Sequence, residues 1–253
     1  MNMMKLFGAA AALLAGTAIA MAAEADEPVF HLTFDECKEG VEVCVDRMKP
    51  ERVCKLHNPK RISFVDGKVG KAIFLDNPNT KLGPKDNPMA GVDVPSFWDP
   101  DFAKAMSIEV WVKIAKDTEF RTMLMYIVQC GYQYGLGFSL YYNWQYFNFL
   151  TGPSGKSADS LVVASHVADL RDEWTHIAAT YDGEKKLAKL YINGECVKEK
   201  EDFVITPPKN RHQLLVIGYT GNQRGWRGAI DELKIYKRAL TPAEILQHAK
   251  LEL

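Results

Sequence analysis

Apolar and polar positions alternate with period two over many short stretches of the chain, the pattern of half-buried β-strands. The run Ser107-Ile108-Glu109-Val110-Trp111-Val112-Lys113-Ile114 is the cleanest, with Ile108, Val110, Val112 and Ile114 on one face. Val29 to Phe34, Lys71 to Leu75, Met123 to Gln129, Tyr134 to Tyr142 and Tyr146 to Leu150 read as strands too. So do Trp174 to Tyr181, Lys186 to Ile192, Leu214 to Tyr219 and Gly228 to Tyr236. Turn signals separate them. Asn193-Gly194 is the strongest, because both residues tolerate positive φ and suit a two-residue hairpin. Two segments read as loops. Glu36 to Lys60 is charged and cysteine-bearing, and Asn77 to Pro100 is rich in proline, which lacks the amide hydrogen a ladder needs. One helix is expected at the end, where Thr241 caps, Pro242 opens and Glu244 completes a capping box. Short strands without interleaved helices predict an all-β, two-sheet sandwich.

The first residues follow a different pattern. Lys5 precedes an apolar run from Leu6 to Ala20, small residues follow, and Glu24 ends it. This predicts a signal peptide over residues 1–23 and one domain over residues 24–253. Location is then secreted, periplasmic or cell-surface, with no transmembrane span after signal removal. Charge narrows the partners. Lys+Arg of 31 against Asp+Glu of 32 leaves no basic excess, which argues against nucleic acid.

Export permits disulfides. A Cys37–Cys44 or Cys44–Cys54 bridge would staple the first loop. The five cysteines leave at least one unpaired, giving either an intermolecular bridge and an oligomer or a buried thiol. Cys130 and Cys196, in apolar strand-like contexts, read as buried.

Ordered motifs carry a family resemblance from Phe30 to the C-terminus. They are Asp66-Gly67-Lys68-Val69-Gly70-Lys71-Ala72, Ser107-Ile108-Glu109-Val110-Trp111-Val112, Trp174-Thr175-His176-Ile177-Ala178-Ala179-Thr180-Tyr181-Asp182-Gly183 and Leu190-Tyr191-Ile192-Asn193-Gly194. The most specific is the close, Gly228-Ala229-Ile230-Asp231-Glu232-Leu233-Lys234-Ile235-Tyr236, running on into Leu240-Thr241-Pro242-Ala243-Glu244-Ile245. Together they resemble the LamG-like domains of the concanavalin A-like lectin/glucanase superfamily. The resemblance implies an antiparallel jelly roll with a short C-terminal helix. Its implied ligand is a glycan or another extracytoplasmic surface molecule, a protein included.

The resemblance also implies a structural Ca²⁺ at the rim, with Asp35 and Asp231 at the matching positions and Asp76 a weaker third. Ca²⁺ needs six to eight oxygens, so carbonyls and water would complete the shell. The alternative is that both carboxylates accept hydrogen bonds from loop amides.

For ligand binding, aromatic residues cluster at Tyr132, Tyr134, Tyr141, Tyr142, Trp144 and Tyr146, with Asn143, Gln145 and Asn148 among them. Flat rings stack on sugars while amides orient hydroxyls. Phe138, Leu140, Phe147 and Phe149 read as core. Trp144, at a hairpin tip, with Tyr142 and Asn143 make the first candidate site, and Arg224 with Trp226 a second. Catalysis finds less support. Glycoside hydrolysis needs two carboxyl groups at controlled separation. The Glu-x-Asp-x-x-Glu run of the glucanase relatives is missing, Glu109 is alone on its strand, and Asp231 and Glu232 are expected on opposite faces. The expectation is a non-catalytic binding module. The alternatives are a polysaccharide hydrolase or lyase, or an assembly protein of the cell envelope.

Overall fold

The computed structural model describes residues 27–77, 89–118, 124–131, 137–151, 161–208, 214–220 and 224–250. The expected signal peptide lies outside these residues, as do Tyr132 and Tyr134. Early strands are β1 (Phe30–Leu32), β2 (Val43–Val45), β3 (Val53–His57), β4 (Ile62–Asp66), β5 (Lys71–Asp76) and β6 (Gly91–Val94). Then come β7 (Ala105–Ile114), β8 (Leu124–Cys130), β9 (Phe138–Asn143), β10 (Tyr146–Thr151) and β11 (Leu161–His166). The later strands are β12 (Trp174–Asp182), β13 (Leu187–Ile192), β14 (Glu195–Lys200), β15 (Leu215–Ile217), β16 (Tyr219–Thr220), β17 (Arg224–Gly225) and β18 (Arg227–Tyr236). Helix α1 (Pro242–Ala249) follows.

Two sheets form the expected sandwich. The first runs β14-β13-β12-β7-β18-β5-β4, with β1 also on β18, and the second runs β11-β10-β9-β8-β15-β6-β3-β2. Consecutive strands β7 and β8 sit in different sheets, while β18 returns from the end of the chain to lie between β7 and β5. Ile108, Val110, Val112, Ile177, Ile230 and Ile235 from the first sheet meet Val128, Leu140, Phe147 and Phe149 from the second in one core. No helix among the described residues is long and apolar enough to cross a membrane.

Helix α1 covers the outer face of the first sheet. Thr241 Oγ1 accepts from Glu244 N at 3.3 Å, and Glu244 Oε2 accepts from Thr241 N at 2.7 Å, so the capping box closes as read. Ile245 packs with Ala178, Tyr191, Tyr236 and Leu240. Beneath the helix lies a buried carboxylate, Glu109, 1% exposed. It accepts from Tyr236 OH at 2.8 Å and meets His248 Nδ1 at 2.9 Å, while His176 Nε2 stands 3.7 Å away. Burial opposes the Glu109 charge, but the imidazoles of His176 and His248 beside it hold its carboxyl well below the usual range.

Three sequence expectations change. The segment Glu36 to Lys60 contains β2 and β3 as well as loop, and β3 pairs with β6. Cys44, Cys54 and Leu56 supply the buried side of that alternation, so cysteine does the packing an aliphatic residue usually does. The proline-rich segment holds β6 between Pro88 and Pro95, and its residues 78–88 lie outside the described set. Asp231 and Glu232 do not face opposite ways. Glu232 has φ 49° and the register shifts between Asp231 and Lys234. This bulge puts Ile230 and Leu233 in the core with both carboxylates turned outward between them.

Candidate functional site

The outer face of the second sheet brings the aromatic cluster together. Along β8 to β11 the period-two rule turns Met125, Val128, Leu140, Tyr142, Phe147, Phe149 and Val163 inward. Tyr126, Tyr141, Asn148 and Ala164 stand opposite one another on the other face, one per strand. The next row holds Asn143, Tyr146 and His166. The rings of Tyr126 and Tyr141 stack at 5.3 Å with 27° between planes, and Tyr146 meets His166 edge-on at 5.1 Å. Asn148 Nδ2 donates to Tyr146 O at 2.8 Å, fixing its amide in the row. Asn143 Oδ1 is sheltered and has no hydrogen-bond partner among the described residues. The row Ser139, Gln129, Val216, Asp93, Lys55 continues the face toward the far edge. There Asp93 accepts from Tyr219 OH, and His57 stacks on the Tyr219 ring at 4.9 Å.

Trp144 sits where the sequence placed it, at the tip of the β9–β10 hairpin, 61% exposed. Its φ is 53° and that of Gln145 is 67°. Both central turn positions are therefore left-handed, where Asn-Gly is preferred and a bulky L-residue costs roughly 1–2 kcal/mol. An exposed indole held in an unfavourable backbone state beside Tyr146 is a feature that stability alone does not select.

Other candidates move. Tyr142 is 1% exposed and packs on Phe147 in the core, where burial pushes its hydroxyl upward. It is core, and Tyr141 takes its place at the surface. Trp226 is fully buried, its Nε1 donating to Ala229 O at 3.2 Å, and so cannot form a ligand platform. The Arg224 side chain lies outside the described residues, and its backbone pairs with Thr220. Neighbouring Arg227 is clasped by Asp76 and Asp117, which commits Asp76 to a guanidinium.

Asp35 and Asp231 do meet, across a single hairpin turn. Asp231 Oδ2 accepts from Lys68 N at 2.9 Å and Val69 N at 3.0 Å, and Oδ1 from Glu232 N at 2.8 Å. Asp35 Oδ1 accepts from Lys71 N at 2.9 Å. Gly67 and Gly70 allow this approach, since a Cβ would fall 2.6 Å from Asp231 Oδ2 and 2.0 Å from Asp35 Oδ1 respectively. Burial pushes Asp231 up to about 7 against the pull of the Val69, Glu232 and Lys68 amides. A donor set of amide hydrogens does not fit a calcium ion, which needs oxygens in their place. The described residues contain no group of three or more His, Cys, Asp or Glu side chains arranged to hold a metal.

Sequence reading missed Tyr126, His166 and Asn77. Asn77 is fully buried, with Nδ2 donating to Ala90 O and Trp226 O at 2.9 Å each and Oδ1 accepting from Ala90 N at 2.6 Å. Its amide locks β6 to the entry of β18. An asparagine followed by proline reads as an ordinary turn, so no signal marked it. All five cysteines are free, and Cys196 is exposed on β14 instead of buried.

The family model described as the concanavalin A-like lectin/glucanases superfamily matches residues 89–246. The chain belongs to that superfamily. Mouse pappalysin-1 is 33% identical over 87 residues, a third of this chain and 5% of that protein; the human protein is 29% identical over 101 residues, 6% of its length. This superfamily member thus spans a small fraction of the curated relatives it matches. Domain 4 of AbnA, an extracellular arabinanase from Geobacillus stearothermophilus solved with arabinotriose, superposes with a TM-score of 0.58 at 19% identity. That match covers 88% of this chain and 98% of the domain. The binding domain of botulinum neurotoxin DC in complex with SialylT gives 0.66 at 12% identity, over 88% of this chain and 51% of that one. At these identities the likeness is one of fold.

Proposed function

We propose that the protein is an exported glycan-binding module and that the outer face of its second sheet, around Tyr126, Tyr141 and Asn148, contacts the sugar. The observation that carries this is the stacked Tyr126–Tyr141 pair on an outer sheet face, bordered by the exposed indole of Trp144. Rings offer flat apolar area at little entropic cost. Two structural neighbours, one solved with arabinotriose and one in complex with SialylT, support the ligand class.

Isothermal titration calorimetry against arabino-, gluco- and sialyl-oligosaccharides tests the reading. At least one class should bind, and Tyr141→Ala should weaken it tenfold or more, about 1.4 kcal/mol. No binding to any class, or binding indifferent to Tyr141→Ala, overturns it. New reducing ends in the same mixtures would favour an enzyme.

A further inference from the structure

Two strands widen the second sheet beyond β6. They are β3 and β2, and both precede residue 89, where the match to the superfamily begins. Period two sets their faces. Cys54 and Leu56 turn to the core, while Val53, Lys55 and His57 turn outward, onto the face that holds Tyr126 and Tyr141. On β2 the buried Cys44 lies between Val43 and Val45. Val43, Val45 and Val53 are 43%, 44% and 42% exposed, and Val45 pairs directly with Val53. A contiguous apolar patch left in solvent marks a contact surface.

His57 is held rigidly on this hairpin. It stands opposite Gly91 of β6. A Cβ on Gly91 would fall 2.4 Å from Tyr219 Cδ1, so the glycine leaves the notch in which the Tyr219 ring lies on the sheet. Tyr219 OH donates to Asp93, and His57 stacks on the Tyr219 ring at 4.9 Å with 6° between planes. His57 Nδ1 stands 4.0 Å from Asp93 Oδ2, and the His57 side chain is 35% exposed. The imidazole is a fixed flat surface with solvent access.

His57 also lies in line with the tyrosines. Ala164, Asn148, Tyr141 and Tyr126 are opposed in turn on β11, β10, β9 and β8. Next to Tyr126, Ile127 O accepts from Gly218 N at 2.8 Å. Ile217 pairs with Val92, and Val92 with Leu56. One residue further along, the same register aligns Gly218, Gly91 and His57. From β8 to β3 is three strand steps of about 4.8 Å, or about 14 Å in all. That span is longer than one sugar ring.

We propose, building on the glycan reading of this face, that the β2–β3 hairpin supplies a second binding station at His57 and that the ligand is a linear oligosaccharide lying across the strands. The Tyr126–Tyr141 pair holds one part of the chain. The His57 ring takes another by stacking, and Nε2 hydrogen-bonds a hydroxyl. A short ligand on the tyrosines forgoes the His57 contact. A ligand that reaches both stations gains it without a second cost of association. The face therefore reads chain length, and its ligand class is the interior of a linear glycan.

Isothermal titration calorimetry of the full chain tests this with arabino- and gluco-oligosaccharide ladders, disaccharide to octasaccharide, and with short sialyl-oligosaccharides. Affinity should rise about tenfold or more from disaccharide to hexasaccharide and then level off. His57→Ala should abolish the rise and leave the disaccharide affinity within about twofold, the unchanged short ligand reporting an intact face. His57→Phe, which keeps a ring on Tyr219, should retain most of the rise, and Tyr141→Ala should weaken every length. Affinity that is equal at all lengths, binding confined to sialyl-oligosaccharides, or a rise that survives His57→Ala overturns the second station and leaves the glycan reading standing. An equal loss at every length in His57→Ala also counts against it. No binding at any length removes both.

Discussion

Glu109 gives the sharpest test of how the first sheet holds the end of the chain. Glu109→Gln keeps the shape of the side chain but removes the charge and replaces one acceptor by a donor. The carboxylate faces Tyr236 OH at 2.8 Å and His248 Nδ1 at 2.9 Å, both donors, in a site with 1% exposure. The glutamine oxygen can serve one of them, and its amide nitrogen then opposes the other. A hydrogen bond to a buried charged group contributes about 1.5–3 kcal/mol, and the orphaned donor adds a desolvation cost of about 1–3 kcal/mol. The sum is roughly 2.5–6 kcal/mol. At about 2–4 °C per kcal/mol for a domain of this size, melting should fall by roughly 5–24 °C at neutral pH. The pH dependence has a definite sign. Because the folded-state pKa is depressed, the stabilisation is complete above the unfolded value of 4.5 and drains away as pH falls below it. Differential scanning calorimetry of parent and variant from pH 7 to pH 3 should show a gap that is widest at pH 7 and narrows in acid. A gap under about 1 °C at pH 7, or one that widens in acid, would refute the account of this network.

Three other outcomes are expected. Tyr142→Ala should destabilise by about 3–5 kcal/mol in denaturant titration, the cost of emptying an aromatic core site, whereas Tyr141→Ala should stay within about 1 kcal/mol and affect only glycan binding; the reverse order would mean the strand faces are misassigned. Replacing Trp144-Gln145 by Asn-Gly should raise stability by about 1 kcal/mol or more through relief of two left-handed positions, and should weaken glycan binding, so a tighter complex would exclude Trp144 from the site. Chelator should leave the calorimetric melt unmoved, because the oxygens of Asp231 already serve three amides; a downward shift would show an ion bound by the native state.

The sandwich was legible because its strongest signals are local. Ile108 to Ile114 alternates without interruption, Asn193-Gly194 forms its hairpin with positive φ at both residues, and Thr241 and Glu244 cap the helix. The site was legible only to within a residue. Phe138 and Leu140 were rightly placed in the core, and counting on by two puts Tyr142 there as well, yet its aromatic chemistry suggested otherwise. Tyr126 was hidden by the register shift between it and Val128, since an extra residue resets the period and leaves no mark in composition. The outward turn of Glu232 was hidden for the same reason, being set by a left-handed backbone on a residue type that rarely takes one. At β2 and β3 the charged neighbours of Cys44 and Cys54 masked an alternation that only the pairing with β6 completes.

Cys196 stands on β14, at the edge of the sheet that helix α1 covers, while the tyrosine face belongs to the other sheet. The remaining cysteines are buried. A maleimide reagent applied to the folded protein therefore has one accessible thiol, on the sheet opposite the tyrosine face. Coupling there would immobilise every molecule in one orientation, with the Tyr126–Tyr141 surface left free for the analyte.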